Sequence, residues 1–175
     1  GEFKLNDKQY KLNKNFGDHH LHGGVGGFSK KFYEVEEFVK THEIGLNLTR
    51  VSPDGEEMYP GNLKLNIKYT LTDDNVFCIN YTAISDKDTL CNMTNHSYFN
   101  LSGNFSTLNN QLLKLESDTY YEVENQIIKS EADVSDRVYD FRDFKKIGEV
   151  SEHGLDHTFK LSKGGKISYY DDTTK

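Results

Sequence analysis

Apolar and polar residues alternate along the middle of the chain, and this pattern restricts the folds open to it. In the first run the apolar positions are Leu63, Leu65, Ile67, Tyr69 and Leu71. A second run has Phe77, Ile79, Tyr81 and Ala83 on one side. A period of two places such side chains on one face of a strand, with the other face in water. The polar residues 72–75 between the runs favour a short loop, so we predict an antiparallel hairpin of Leu63–Leu71 and Val76–Ile84.

Other segments fit the same architecture. Ile44, Leu46 and Leu48 alternate with polar residues, and Leu112–Glu116 and Tyr120–Val123 are further short strands by the same criterion. Glu34–Val39 suits either a turn of helix or a strand, whereas Ser162–Lys175 is polar and predicts a partly ordered end. No stretch has a convincing helical period. The pattern predicts an all-β, antiparallel, sandwich-like fold in one domain over residues 1–175.

Composition excludes several classes of partner. The 175 residues carry a net charge of -7, which argues against nucleic acid and against an anionic membrane surface. The apolar runs are too short to span a bilayer, and no signal-peptide pattern opens the chain. Cys78 and Cys91 are too few for a disulfide framework, so we expect a reducing, cytoplasmic location.

The most informative motif is Thr-Asn-His-Ser-Tyr-Phe-Asn-Leu at residues 94–101. It sets His96, a side chain able to give and take protons near neutral pH, among hydrogen-bonding and aromatic groups that suit a sugar. Two further motifs are Leu-His-Gly-Gly-Val-Gly-Gly-Phe at 21–28 and Gly-Leu-Asp-His-Thr-Phe at 154–159. In type and order, the three segments resemble the aldose 1-epimerases (galactose mutarotases).

The resemblance implies a fold and an extent. It runs from Gly1 to about Leu161, and the family's fold is a large antiparallel β-sandwich, the galactose mutarotase-like supersandwich. By the same resemblance the chain matches only the central portion and is incomplete at both ends. The missing C-terminal portion carries the family's glutamate base. A partial sandwich exposes strand edges and apolar faces, so we expect self-association or pairing with the rest of the domain.

The resemblance also assigns roles in opening the ring of a free hexose, which interconverts its α and β anomers. His157 would be the general acid that protonates the ring oxygen, and His96 would hydrogen-bond the sugar near that oxygen. Asn95 would be a further sugar-binding residue. Tyr98 and Phe99 could form an aromatic wall, although we expect one of them to pack in the core. Asp156 directly precedes His157, and adjacent strand residues point to opposite faces. We therefore expect no carboxylate–imidazole pair between them and assign Asp156 no catalytic role.

Three functions fit these residues. The first is an aldose 1-epimerase for galactose or glucose, needing no metal and no cofactor. The second is a non-catalytic module that binds a sugar or sugar phosphate without the base. The third is a β-rich subunit that pairs with a partner through its open strand edges.

Other histidines and the glycine-rich run invite different readings. Neither the group His19, His20 and His22 nor the pair His153 and His157 forms a convincing metal site. The run at 23–27 lacks the following Lys-Ser/Thr of a phosphate loop, and we expect His22 to shape this turn. The chain departs from the family pattern at Ser29, where aspartate is common. It also departs at residues 127–130, which replace an Ile-Pro-Thr-Gly turn, so the resemblance does not predict the conformation of that loop.

Overall fold

A computed structural model describes residues 1–103, 107–135 and 138–172, with only the backbone described for residues 151–153. Its backbone contacts group the chain into two compact units, Gly1–Asn95 and His96–Lys175. Each unit is described below by itself. The helical segments in these ranges are short 3-10 turns, and none is long and apolar enough to cross a membrane.

The first unit contains a hairpin and a four-stranded antiparallel sheet of order β3-β4-β5-β6. The hairpin joins β1 and β2 through Asn6 and Asp7, which both have positive φ, as a two-residue hairpin turn requires. Short 3-10 segments occupy Phe28–Lys30 and Glu56–Met58. The strands are β1 (Glu2–Leu5), β2 (Lys8–Lys11), β3 (Glu34–Lys40), β4 (Glu43–Ser52), β5 (Leu63–Thr72) and β6 (Phe77–Ser85).

The register of the four-stranded sheet confirms the predicted hairpin. Ile67 in the middle of β5 lies opposite Leu48 of β4 and Tyr81 of β6. Paired residues share a face, so the apolar positions of all three strands form one apolar face. Part of that face is open, because Val39 is 81% exposed and Phe77 is 60% exposed. This exposure agrees with the expectation that apolar strand faces are left uncovered.

The second unit contains two three-stranded antiparallel sheets, β10-β7-β12 and β11-β8-β9. Asn125 and Gln126, both with positive φ, make the two-residue turn between β8 and β9. A 3-10 segment covers Ile147–His153. The strands are β7 (Gln111–Leu115), β8 (Thr119–Glu124), β9 (Ile127–Asp133), β10 (Lys145–Lys146), β11 (Thr158–Lys160) and β12 (Ile167–Asp171).

The core of the second unit forms around Phe141, which is almost completely buried. Leu115 and Val150 join it, and Leu155 and Phe159 pack against the cluster from either side of His157 in sequence. The rings of Phe141 and Phe159 meet edge to face, with centroids 5.9 Å apart. These contacts fix the backbone on both sides of His157.

The all-β, antiparallel fold class is confirmed by these sheets. Glu34–Val39 forms a strand, the second of the two predicted alternatives, and residues 127–130 continue as β9 instead of a loop. The expected polar, partly ordered end is wrong for residues 167–171, since β12 pairs with β7 there. Ile167 and Tyr169 alternate with polar residues, but the run is too short to stand out in the sequence. The prediction of one domain stays a prediction.

Candidate active site

His96 lies on a segment, residues 94–100, that has no regular secondary structure. Its side chain is exposed, and its ring centroid lies 5.3 Å from that of Tyr98. Tyr98 is 91% exposed and Phe99 is 67% exposed, so the expectation that one of them packs in a core is wrong. Both rings present aromatic surface to solvent. Asn95 is also exposed and is the last residue of the first unit.

Side chains from β7 and β12 hold the end of this segment. Gln111 donates a hydrogen bond from Nε2 to Asn100 Oδ1 across 2.7 Å. The Tyr169 hydroxyl donates to the carbonyl oxygen of Phe99 across 3.4 Å. Burial, with a contribution from the charge of Asp171, raises the pKa of Tyr169 above its ordinary value.

His157 sits between tyrosine rings of the second unit. Its ring centroid lies 4.1 Å from that of Tyr139, with the planes tilted by 41°. Tyr120 meets it edge to face at 5.3 Å. The Nδ1 atom is buried and has no hydrogen-bond partner in the described part of the chain. Packing therefore holds this imidazole in place.

The backbone around His157 explains its exposure. Gly154 has a φ of +73°, the left-handed region that glycine adopts without a Cβ clash, and it ends the 3-10 segment. Leu155 and Phe159 then turn towards the core, while Asp156 is exposed and His157 is half-buried. Asp156 and His157 thus have different environments, as expected for neighbours on an extended backbone.

An open depression of about 400 Å³ lies beside His157. Besides His157, it is lined by Tyr120, Glu122, Val123, Glu124 and Lys129. Lys129 pairs with Glu124 at 2.7 Å, and Ser130 donates its hydroxyl to Glu122 Oε2 across 2.7 Å. Carboxylates, an ammonium group and an aromatic ring together can bind a hydroxylated ligand, with polar groups for its hydroxyls and the ring for its C–H face.

The glycine-rich segment belongs to the first unit and encloses a carboxylate of the same chain. The Gly26 N–H donates to Glu57 Oε1 across 2.8 Å. A Cβ on Gly24 would lie 2.1 Å from Glu57 Oε2 and 2.8 Å from His20 Cε1. His22 has a φ of +52°, which agrees with the expectation that it shapes this turn. In this loop the Gly26 N–H therefore faces an internal anion, whereas the Gly24 N–H donates to the carbonyl oxygen of Leu21.

His19 and His20 belong to the first unit, where each has a contact of its own. His20 donates from Nδ1 to the carbonyl oxygen of Asn13 across 2.7 Å, and the backbone of His19 forms an isolated bridge with Phe16. His153 lies among residues whose side chains are not described. Within the described ranges, no three His, Cys, Asp or Glu side chains are grouped to hold a metal ion.

A strongly charged cluster supports the turn next to Glu57. Arg50 donates to both carboxylate oxygens of Glu56, at 2.6 and 2.8 Å, and Lys31 lies 2.9 Å from the same group. Burial opposes the charge of Glu56, but the Ser52 hydrogen bond and these cations outweigh it and lower the pKa of Glu56. The cluster fixes the turn that presents Glu57 to the glycine-rich segment.

Comparisons with known proteins identify the family. The family model described as Aldose 1-epimerase matches residues 1–174. The chain belongs to the aldose 1-epimerase family. It is 38% identical to galactose mutarotase from Homo sapiens, covering 97% of this chain and 50% of the relative. It is 36% identical to aldose 1-epimerase from Haemophilus influenzae, with coverage of 93% and 50%.

Solved structures give the same family fold. The galactose 1-epimerase from Lactobacillus acidophilus superposes with a TM-score of 0.86 at 31% identity, covering 96% of this chain and 54% of that one. A GalM/aldose epimerase homologue from C. elegans gives a TM-score of 0.87 at 26% identity, with coverage of 99% and 55%. The chain thus spans about half the length of the relatives that it matches.

For this aldose 1-epimerase family member, the motifs predicted His96 and His157 as site residues but did not predict what surrounds them. Tyr139 and Tyr120 contact His157 from positions 18 and 37 residues earlier in the chain. Glu57 and Gln111 were also missed. For Glu57 the sequence offered one signal, the Asp-Gly-Glu-Glu run, in which two carboxylates follow a turn glycine.

Proposed function

We propose that this chain supplies the general acid and part of the sugar cleft of an aldose 1-epimerase that interconverts the anomers of a free hexose. The observation that carries the proposal is the state of His157. Its imidazole is held by tyrosine rings, has no hydrogen-bond partner at Nδ1 in the described residues, and borders an open depression. Because Nδ1 is buried, we expect a ligand to meet the imidazole at Nε2, which would be the atom that gives the proton.

The proposed chemistry moves two protons. A base takes the proton of the anomeric hydroxyl, the bond between C1 and the ring oxygen breaks, and His157 gives its proton to that oxygen. Rotation about the C1–C2 bond exposes the other aldehyde face, and the reverse transfers close the ring. The family resemblance assigns the base to a C-terminal glutamate beyond the matched portion. The reaction requires positioned acid and base groups, and we propose that no cofactor takes part.

The other site residues would bind the sugar. We assign to His96 a hydrogen bond near the ring oxygen and to Asn95 a hydrogen bond to a hydroxyl. The exposed rings of Tyr98 and Phe99 offer an apolar surface for the C–H face of a pyranose. We propose galactose, which several of the relatives carry in their names, and glucose as the substrates.

A second candidate is a sugar-binding module without turnover. The polar and aromatic lining of the depression beside His157 favours it, because a site can bind a ligand with fewer groups than it needs for acid–base chemistry. Sugar phosphate is the less favoured ligand of this module. Lys129, which lines the depression among the described residues, already pairs with Glu124 at 2.7 Å.

Two further proposals concern the setting of the chain. We propose a cytoplasmic location, which the free thiols of Cys78 and Cys91 support. We also propose that the open apolar face of β3–β6 pairs with the rest of the domain or with a second copy. Val39 and Phe77 on that face would lose their exposure on pairing.

Polarimetry together with binding calorimetry tests the proposed function. Freshly dissolved α-D-galactose and α-D-glucose are followed with the 175-residue chain, and binding is measured on the same samples. Accelerated mutarotation supports the epimerase. Saturable binding at the solvent rate supports the binding module, and a folded chain with neither property contradicts both.

A further inference from the structure

Gln111 is a buried polar side chain whose two hydrogen-bonding ends are both engaged by the signature segment. It is the first residue of β7 and only 1% of it is exposed. Its Oε1 accepts the backbone N–H of Leu101 across 3.3 Å, and its Nε2 donates to Asn100 Oδ1 across 2.7 Å. A buried amide that lost these partners would be desolvated without a compensating hydrogen bond, which is destabilising. The arrangement is therefore well fixed.

Asn100 links Gln111 to the rest of the segment. Its Oδ1 accepts the N–H of Ser102 across 3.0 Å and the hydroxyl of Ser102 across 2.7 Å, in addition to Gln111. One oxygen therefore gathers three donors at the end of the motif. Since hydrogen bonds in a partly buried network strengthen one another, this oxygen fixes the backbone direction of the chain that leads back to His96.

The segment needs such a device because strand pairing does not hold it. Residues 94–100 lie outside any sheet, and every side chain in this stretch is exposed. Backbone of this kind is held by side-chain contacts where it meets rigid elements. Gln111 belongs to the central strand of its sheet, flanked by β10 and β12, and so offers a rigid support.

We propose that Gln111 is a positioning residue for His96, acting through Asn100 on the irregular segment between them. The catalytic importance of this role rests on the function proposed above. The placement of His96 itself does not, and can be measured without turnover. Removing the polar ends of Gln111 should let His96 move, and a misplacement of about 1 Å can cost roughly 100-fold in rate.

The test compares Gln111→Met with Ser117→Ala. Methionine fills almost the same volume as glutamine but offers neither a strong donor nor a strong acceptor, so packing is largely kept. Ser117 is the matched control because it is 6% exposed and its hydroxyl lies 2.7 Å from the carbonyl oxygens of Thr119 and Lys160. Both variants remove a buried polar contact, but Ser117 has no described contact with the segment.

The first readout is the NMR signal of the histidine ring protons in the 175-residue chain, assigned with His96→Gln and His157→Gln variants. We expect Gln111→Met to shift or broaden the His96 signal and to leave the His157 signal unchanged. Ser117→Ala should leave the His96 signal unchanged at a similar loss of stability. An unchanged His96 signal in folded Gln111→Met would overturn the proposal, whether or not the chain is active.

Turnover is the second readout and separates the two proposals. If the chain is active, Gln111→Met should lower the mutarotation rate about 100-fold while Ser117→Ala stays within about twofold of the wild type. If the wild type does not accelerate mutarotation, the epimerase function fails for this chain, and the His96 signal still decides the role of Gln111.

A double-mutant cycle tests whether Gln111 acts through Asn100. Asn100→Ala should perturb the His96 signal as Gln111→Met does, and the double variant should add little to either single change. Independent, additive perturbations would contradict the linkage through Asn100.

Discussion

The backbone N–H of Gly26 donates a hydrogen bond to Glu57 Oε1 across 2.8 Å, so the glycine-rich segment closes on a carboxylate of its own chain. Gly24 lies so close to the second oxygen of Glu57 that a Cβ there would be 2.1 Å away. The glycines thus allow a backbone to approach a carboxylate. In the aldose 1-epimerase family member described here, this motif has a structural role within the first unit.

Gly24→Ala should destabilise the protein much more than alanine at another left-handed glycine. Gly24 has a φ of +92°, and a methyl group there would push away the ends of the Glu57 and His20 side chains, so we expect a loss of roughly 3 kcal/mol from backbone strain and displaced side chains together. Gly17 is the matched control, since its φ is +55° but nothing lies within 4 Å of a Cβ. Gly17→Ala should cost about 1 kcal/mol. Urea unfolding measures both, and equal losses would contradict the close approach of Glu57.

Met58→Gly should stabilise the protein. Met58 has a φ of +71° and is 49% exposed, so its side chain contributes little packing while its backbone is strained. Relief of this strain should gain about 1 kcal/mol, which raises the melting temperature by roughly 2–4 °C in a protein of this size. Met58→Ala keeps the strain and serves as the control. A melting temperature that falls with glycine would show that the methionine side chain contributes more than its exposure indicates.

Stability should fall in acid partly through Glu56. Ser52, Lys31 and Arg50 lower the pKa of Glu56 against the opposing effect of burial. Because the pKa of Glu56 is lower in the folded state, its charge stabilises the protein at pH values above the ordinary glutamate pKa of 4.5. This contribution is lost as the pH falls through the lowered pKa. Glu56→Gln should therefore reduce stability by about 2 kcal/mol at pH 7 and much less at pH 2.

The control for Glu56 is Glu43→Gln. Glu43 pairs with Lys40 at 2.6 Å on the protein surface, and exposed pairs contribute little. Unfolding is followed in urea at the two pH values for each variant. A Glu56→Gln effect that is the same at both pH values would rule out the charged network as its source.

Tyr139→Ala should weaken any function of His157 more than Tyr139→Phe. The ring centroids of Tyr139 and His157 lie 4.1 Å apart, so the aromatic ring of Tyr139 forms this contact. Phenylalanine keeps the face, and we expect mutarotation within about twofold of the wild type; alanine frees the imidazole and should lower the rate about tenfold or more. Rates are taken by polarimetry. A larger loss with phenylalanine than with alanine would assign the effect to the hydroxyl.

Local sequence signals were sufficient for the longer strands of this fold. The two-residue period placed β5 and β6 within a residue or two, because one buried and one solvated face leave a clear alternation. The hairpin of β1 and β2 was missed although Asn6-Asp7 is a turn signal, since four-residue strands carry too little alternation. β12 was missed for the same reason.

The site was predictable only in part. Motifs predict His96 and His157 as site residues, but the contact of His157 with Tyr139 depends on how distant segments pack, and no local pattern encodes it. The burial of Gln111 was also not predictable from local sequence, because a glutamine in a short apolar strand looks like a solvent-facing residue. Its burial follows from the return of residues 100–101 over the start of β7.

Exchange between the two anomers of galactose at equilibrium tests the central claim most directly. Saturation transfer between the anomeric signals of ¹³C-labelled galactose reports ring opening without any change in composition. The account predicts that exchange above the solvent rate with the wild-type chain falls roughly 100-fold or more in His157→Asn and stays near the wild-type rate in the exposed control Asp156→Asn. Exchange that survives in His157→Asn, with the protein folded, would contradict the role assigned to His157.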